Sequence, residues 1–266
     1  MRYRIIIIIL IIILAGIDCR AQSDSLMFRM LSLERKIMQA QSDTSAATSL
    51  LFEKAMVLKH AGEYDQALST LKRMDGYKLK DSIRCSIYFQ KALVQYLDKN
   101  FTSSLFDMWS AQACGSGSKE MKILFLMILL ENERWDDFKS AFTDAAKANN
   151  AIDTSAFLRE FQHPVYFNPE VYARYSKIPA RGLFKLGARK QAFTNIALQV
   201  VFVGFAASEI YSGFYSTAFF SGLRPAQRFY SGGRGLTESV VYLRNEQNIS
   251  LQKQEGYCYI GLLYPQ

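Results

Sequence analysis

The sequence predicts an all-α chain of antiparallel helix pairs that ends in an apolar C-terminal helical hairpin. Three observations lead there. Between Leu51 and Met74, small and large apolar residues recur at helical spacing through Ala55, Leu58, Ala67 and Leu71, with Gly62 breaking the run in the middle. The same frame returns twice further along. Finally, Gln191 to Leu223 is a stretch of thirty-three residues whose only charge is Glu209, broken near Ser212-Gly213.

The N-terminus reads Met1-Arg2-Tyr3-Arg4, then unbroken aliphatics from Ile5 to Ala15, then polar from Asp18. That order of charge, apolar core and small residues is a secretory signal over residues 1–21, with Cys19-Arg20-Ala21 offering cleavage before Gln22. Two other readings stay open. One is an uncleaved anchor; the other is lipidation at Cys19, although Ile17 and Asp18 separate it from Leu14-Ala15-Gly16.

The remaining chain is long enough for one large or two ordinary domains. Half of the residues are hydrophobic and 14 % are aromatic, which excludes disorder as the default state. Charge is unevenly spread: residues 22–170 hold 18 Lys and Arg against 19 Asp and Glu, whereas residues 171–266 hold 11 against 4. The basic C-terminal third therefore expects an anionic partner, and export favours lipid headgroups over nucleic acid.

Leu26 to Met38 reads as an amphipathic helix that caps the helix pairs. In the first pair, Tyr64 fills the space beside the turn and Ala67 permits close approach of the two helices. Ala92, Phe101, Ser104, Met108 and Ala111 repeat the positions of Ala55, Tyr64, Ala67, Leu71 and Met74 at a spacing of 37. A third copy comes after the apolar run Ile123 to Leu130, with Trp135, Phe138, Phe142 and Ala145, and Trp135 lies 34 residues after Phe101. Asp81 and Ser118 are the expected N-caps of the second and third units.

Over residues 46–148 this pattern resembles the tetratricopeptide repeat, with Lys99 and Glu133 where the turn glycine stands at Gly62, and with Leu126 and Phe138 at positions that family keeps small. The resemblance implies a curved stack of helix pairs whose concave face receives a protein segment. It places Phe52, Met56, Lys59, Phe89, Leu93, Tyr96, Ile123 and Met127 on that face, a mainly apolar set suited to a helix or an extended strand. The alternative is that Phe89, Leu93, Ile123 and Met127 are core.

Residues 149–178, with Pro164 and Pro169 among aromatics, form a connector that docks through its rings. From Arg174 to Lys190 come six basic residues and no acid: Arg174, Lys177, Arg181, Lys185, Arg189 and Lys190. These are the expected headgroup contacts. The apolar stretch beyond them, rich in Gly, Ala, Ser and Tyr, suits close helix packing and interfacial placement. Spanning a bilayer, lying on it and packing inside protein all remain open. Residues 236–255 are expected to close the chain as an amphipathic helix, with Val240, Leu243 and Leu251 facing inward and Gly256 ending it. Ile178-Pro179, Gly182, Gly187, Phe229-Tyr230 and Gly232-Gly233 resemble the tail of a group of exported bacterial proteins of uncharacterised activity. Ala180, Leu183 and Lys185 stand where those proteins carry Gly, Gln and Tyr, and the resemblance implies membrane association.

Catalytic patterns are missing. His60 and His163 are far apart and lack acids at ligand spacing. Gly115-Ser116-Gly117-Ser118-Lys119 has neither the spacing nor the preceding strand of a phosphate loop and reads as a loop capped by Ser118. Gly232-Gly233-Arg234-Gly235 reads as a turn between helices, and Glu131, Glu133, Asp136 and Asp137 as a solvated face. Cys85 and Cys114 fall near the same end of one helix pair, either bridged or as free thiols.

The expected organisation is a signal peptide (1–21), a repeat domain (22–148), a connector (149–178) and an apolar, basic helical region (179–266). The expected function is a non-enzymatic protein-binding adaptor, exported to the periplasm or envelope of a Gram-negative-type bacterium. It would contact lipid through residues 174–223 and need no metal, cofactor, nucleic acid or small-molecule substrate. The alternatives are a structural subunit whose tail is buried in protein and, more distantly, a hydrolase.

Overall fold

The computed structural model describes residues 26–40, 43–76, 79–115, 117–149, 154–178 and 180–265. The expected signal segment 1–21 lies outside the described residues, as does Pro179 of the tail motif. Every element among the described residues is helical. The chain divides into two compact units, with the boundary between Arg134 and Trp135.

The first unit holds α1 (residues 26–39), α2 (Thr44–His60), α3 (Tyr64–Lys72), α4 (Asp81–Leu97), α5 (Phe101–Ala113) and α6 (Lys119–Glu131). Leu33 and Ile37 of α1 are buried, and its Glu34 binds Lys54 and, at 3.0 Å, Arg73. The Lys54 hydrogen bond, helped by Arg73, holds the Glu34 carboxyl below its ordinary range. Asp43 caps α2 by accepting from the backbone N–H groups of Ser45 and Ala46. Ser118 caps α6 through Met121. Asp81 is the first residue of α4 and Lys80 holds its N-cap position, so Asp81 acts on the helix dipole without capping the end as expected.

Helix pairs α2/α3 and α4/α5 bury equivalent positions. Ala55, Ala67, Leu71 and Met74 in one pair, and Ala92, Ser104, Met108 and Ala111 in the other, are all 0 % exposed. Ser104 stands where Ala67 stood and satisfies its hydroxyl by donating to the Ala92 carbonyl at 2.7 Å, so a polar side chain fits the closest approach.

The three expected turns share one hydrogen-bond pattern. Glu63 N–H donates to the Leu58 carbonyl and Gly62 N–H to Lys59; Asn100 donates to Gln95 and Lys99 to Tyr96; Arg134 donates to Leu129 and Glu133 to Leu130. This is the Schellman arrangement, which needs a left-handed residue at its corner. Gly62 has φ 81°, Lys99 63° and Glu133 58°. Only glycine adopts that region without a Cβ penalty. Lys99→Gly should therefore stabilise the N-terminal unit by about 0.5–1 kcal/mol. Urea unfolding of the variant against the parent measures it.

The second unit holds α7 (Trp135–Asn149), α8 (Thr154–Glu160), α9 (Pro169–Tyr175), α10 (Arg181–Lys185), α11 (Arg189–Tyr211), α12 (Tyr215–Thr217) and α13 (Arg224–Leu263), with a π-helical turn over Ala218–Leu223 joining the last two. The repeat segment was expected to run to residue 148. Instead α7 belongs here, because Phe138 and Phe142 pack on Phe157, Phe161 and Tyr259. Trp135, 4 % exposed, packs at 6.4 Å on Phe161 and donates its indole N–H to the Tyr166 hydroxyl.

The longest element, α13, has 40 residues and differs from expectation at both ends. Gly232 to Gly235 lie inside it, not in a turn, and Gly256 is buried within it, not at its end. Gly233 faces Asn195, and a Cβ there would stand in ordinary contact, 3.5 Å from the carboxamide oxygen. Val240 is buried as expected, whereas Leu243 and Leu251 are exposed, the inner positions being Thr237, Val241, Ile260 and Leu263. The connector is fastened to this helix. Asn245 accepts from the Phe167 N–H at 2.8 Å and donates back to the Phe167 carbonyl at 3.0 Å, and Asn248 donates to the Val165 carbonyl. Gly182 of α10 lies so close that a Cβ would stand 2.7 Å from Thr237 Cγ2 and 2.8 Å from the Tyr172 carbonyl oxygen.

Candidate functional site

Two surfaces correspond to the expected sites, one in each unit. In the N-terminal unit, Phe52, Met56, Lys59, Phe89, Leu93, Tyr96, Ile123 and Met127 are all half-buried, neither core nor free surface. Phe52 and Met56 pack against the cluster formed by Leu51, Ala55 and Leu71. Lys59 donates to the Gln90 carboxamide oxygen at 3.0 Å, and burial pulls its ammonium below its ordinary pKa. Tyr96 packs on Phe101 at 5.5 Å, so its ring is partly used by the turn.

Of these eight, Phe52 lines a cavity of about 630 Å³ in this unit, together with Thr44, Thr48, Leu79, Ile83 and Ser86. Its hydroxyls are partly engaged already, since Thr48 donates to the Thr44 carbonyl. The cavity was not anticipated. Thr44 and Thr48, and Ser45 and Ser49, each pair four residues apart on one helix, were its signal.

The C-terminal unit carries the stronger departure from a soluble surface. Helix α11 is long and apolar enough to cross a membrane, yet only 11 % of its most apolar window is buried. Its buried residues are Ala192, Asn195 and Ala206, while Phe193, Val200, Val201 and Phe205 face outward. Helix α13 and the π-turn lie on the small-residue face. Gly222 approaches Ala206 so closely that a Cβ would stand 2.6 Å from the alanine methyl, Phe229 stacks on Phe202 at 5.5 Å, and Asn195 donates to the Phe229 carbonyl. Ala192, Asn195 and Ala206 are buried in the contact, with Ile196 and Phe202 packed beside them, while Phe193, Val200, Val201 and Phe205 point away from it. A water-soluble helix pair would instead bury most of the apolar residues of such a helix.

The break between the two helices is at Gly213, φ 82°, closed by Phe214 N–H to the Glu209 carbonyl. Around it Tyr211, Phe214, Tyr215, Phe219 and Phe220 are all more than half exposed. Five large rings are thus left uncovered around one turn. All six expected headgroup contacts, Arg174, Lys177, Arg181, Lys185, Arg189 and Lys190, are exposed, and none has an ion-pair partner among the described residues. Arg181 and Lys185 lean over the Tyr175 ring, at 5.8 and 3.8 Å from its centre.

Ionisable groups elsewhere are occupied with structure. Lys91, 4 % exposed, holds both oxygens of Asp75 at 2.6 Å. Burial pushes the nearby Asp107 carboxyl up, against the pull of Lys91. His163 meets Asp136 at 2.9 Å on open surface. Among the described residues no three His, Cys, Asp or Glu side chains converge to hold a metal. Cys85 and Cys114 are free thiols, and a hydrogen bond between them, with burial, pushes the Cys114 thiol up. No family model, curated protein or solved structure matches the chain.

Proposed function

We propose that the protein is a non-enzymatic adaptor of the bacterial cell envelope, exported by its N-terminal segment. A stack of tetratricopeptide-like helix pairs binds a protein segment, and an apolar C-terminal hairpin docks the molecule on a membrane. The observation that carries the proposal is the exposure of α11, a helix long and apolar enough to cross a membrane that buries Ala192, Asn195 and Ala206 and leaves Phe193, Val200, Val201 and Phe205 uncovered. Exposed aromatics around Gly213 support it, and the six cations from Arg174 to Lys190, which have no ion-pair partner among the described residues, draw this basic unit towards an anionic surface. Recurrence of the same turn at Gly62, Lys99 and Glu133, and of the same buried positions in two helix pairs, supports the repeat reading. The half-buried apolar face from Phe52 to Met127 is the surface offered to the partner.

Fractionation tests the membrane part. Full-length protein should stay with the membrane pellet through a carbonate wash, and a chain truncated after Arg134, at the boundary of the two units, should be released. Release of the full-length protein by carbonate would favour a peripheral subunit whose apolar tail is covered by protein.

A further inference from the structure

We propose that Arg224 and Arg228 clamp the phosphate of a glycerophospholipid headgroup and so limit residues 205–223 to a single leaflet. This rests on the membrane role of the C-terminal hairpin and assigns its depth and its ligand. By length α11 alone can cross a bilayer. The helix packed against it cannot follow. Because Gly222 lies on Ala206 and Phe229 on Phe202, the two arginines stand opposite the middle of α11. A full crossing would put both guanidinium groups deep in hydrocarbon, at a cost of several kcal/mol.

The distances favour a shallower placement. From Phe214 in the turn to Arg224 is ten residues, about 15 Å at 1.5 Å per residue. One leaflet contributes about 15 Å of hydrocarbon. With the turn at the midplane, Arg224 and Arg228 arrive at the level of the phosphates, and the residues inserted below them carry a single charge, Glu209.

The site itself is suited to that ligand. Arg224 and Arg228 are four residues apart on one face of α13, and neither has an ion-pair partner among the described residues, whereas Arg234 is engaged by Glu238. Both line a cavity of about 620 Å³ with Phe220, Phe229 and Leu236, next to the Asn195 carboxamide, which is 7 % exposed. Two planar guanidinium forks match phosphate oxygens bidentately, and the rings beside them suit the glycerol and first acyl carbons.

Flotation of the full chain with vesicles of phosphatidylcholine, with and without phosphatidylglycerol, tests this. Parent protein should float, more strongly with phosphatidylglycerol, and the double variant Arg224→Gln/Arg228→Gln should bind roughly thirtyfold more weakly. That loss should persist in high salt. Arg181→Gln/Lys185→Gln, which removes two cations outside the cavity, should lose little once salt is high. An unchanged circular dichroism spectrum checks that the exposed arginines were not needed for folding. If the parent does not float, the membrane role and the clamp fall together. If the parent floats and Arg224→Gln/Arg228→Gln floats equally well, the clamp alone falls. Displacement of the parent from vesicles by millimolar inorganic phosphate would instead make the cavity a site for a soluble anion.

Discussion

Replacing Phe214 and Phe219 together with serine should weaken vesicle binding at least about thirtyfold. Burying a phenylalanine side chain fully is worth about 1.5–3 kcal/mol. Phe214 is 60 % and Phe219 53 % exposed, so each has somewhat more than half of that to gain from lipid. Two such losses come to about 2–3 kcal/mol, or roughly 30- to 150-fold in partition, since about 1.4 kcal/mol is a factor of ten. In water the same change should leave stability unaltered or slightly raised, because it removes apolar surface that water already covers. Phe106 in the N-terminal unit, equally exposed at 63 %, is the control, and Phe106→Ser should bind vesicles like the parent. A sedimentation titration against lipid concentration gives all three partition constants.

Phe157→Ala should destabilise the C-terminal unit by about 3–5 kcal/mol. Its ring is 1 % exposed and lies 4.2 Å from Phe142, 5.3 Å from Phe161 and 4.9 Å from Tyr259, at the centre of the aromatic cluster. The neighbouring rings are rigid and themselves packed, so both the lost transfer energy and the cavity count. Against a total stability of about 5–15 kcal/mol, that is a large fraction. The effect should be confined to one unit. Urea unfolding followed by fluorescence should resolve an early transition for residues 135–266, with the rest of the chain unfolding where it did before. A single transition shifted as a whole would show that the two units do not unfold independently.

Local rules with one strong consequence were readable in the sequence. Gly62 and Gly213 end helices because each supplies a positive φ, and the spacing from Gly62 located Lys99 and Glu133 at corners where residue type alone gave no sign. The small and large positions from Ala55 to Ala111 were readable for the same reason, since one buried stripe faces one partner helix. Helix α13 escaped because it has no single partner. Gly233 faces Asn195, Thr237 faces Gly182 and Ser176, Asn245 faces Phe167, and Tyr259 faces Phe142. A helix that changes partner every turn or two has no sustained hydrophobic period, and its glycines then resemble a turn. The reach of α7 into the second unit was hidden similarly, because Phe138 and Phe142 suit either neighbour by composition. At the candidate sites, the exposure of Arg174 to Lys190 followed from charge alone. The Arg224 and Arg228 cavity depends on a contact between helices that no local pattern encodes.

The central claim is that lipid covers the apolar surface around Gly213. A single environment-sensitive fluorophore at Tyr215→Cys, in an otherwise cysteine-free full-length chain, tests it most directly against vesicles containing acyl-chain nitroxide lipids. The account predicts a blue shift and strong quenching at residue 215, with neither at Ser239→Cys, which lies on the same helical stretch beyond the arginines. Emission at residue 215 that stays as in water and unquenched at saturating lipid would contradict it.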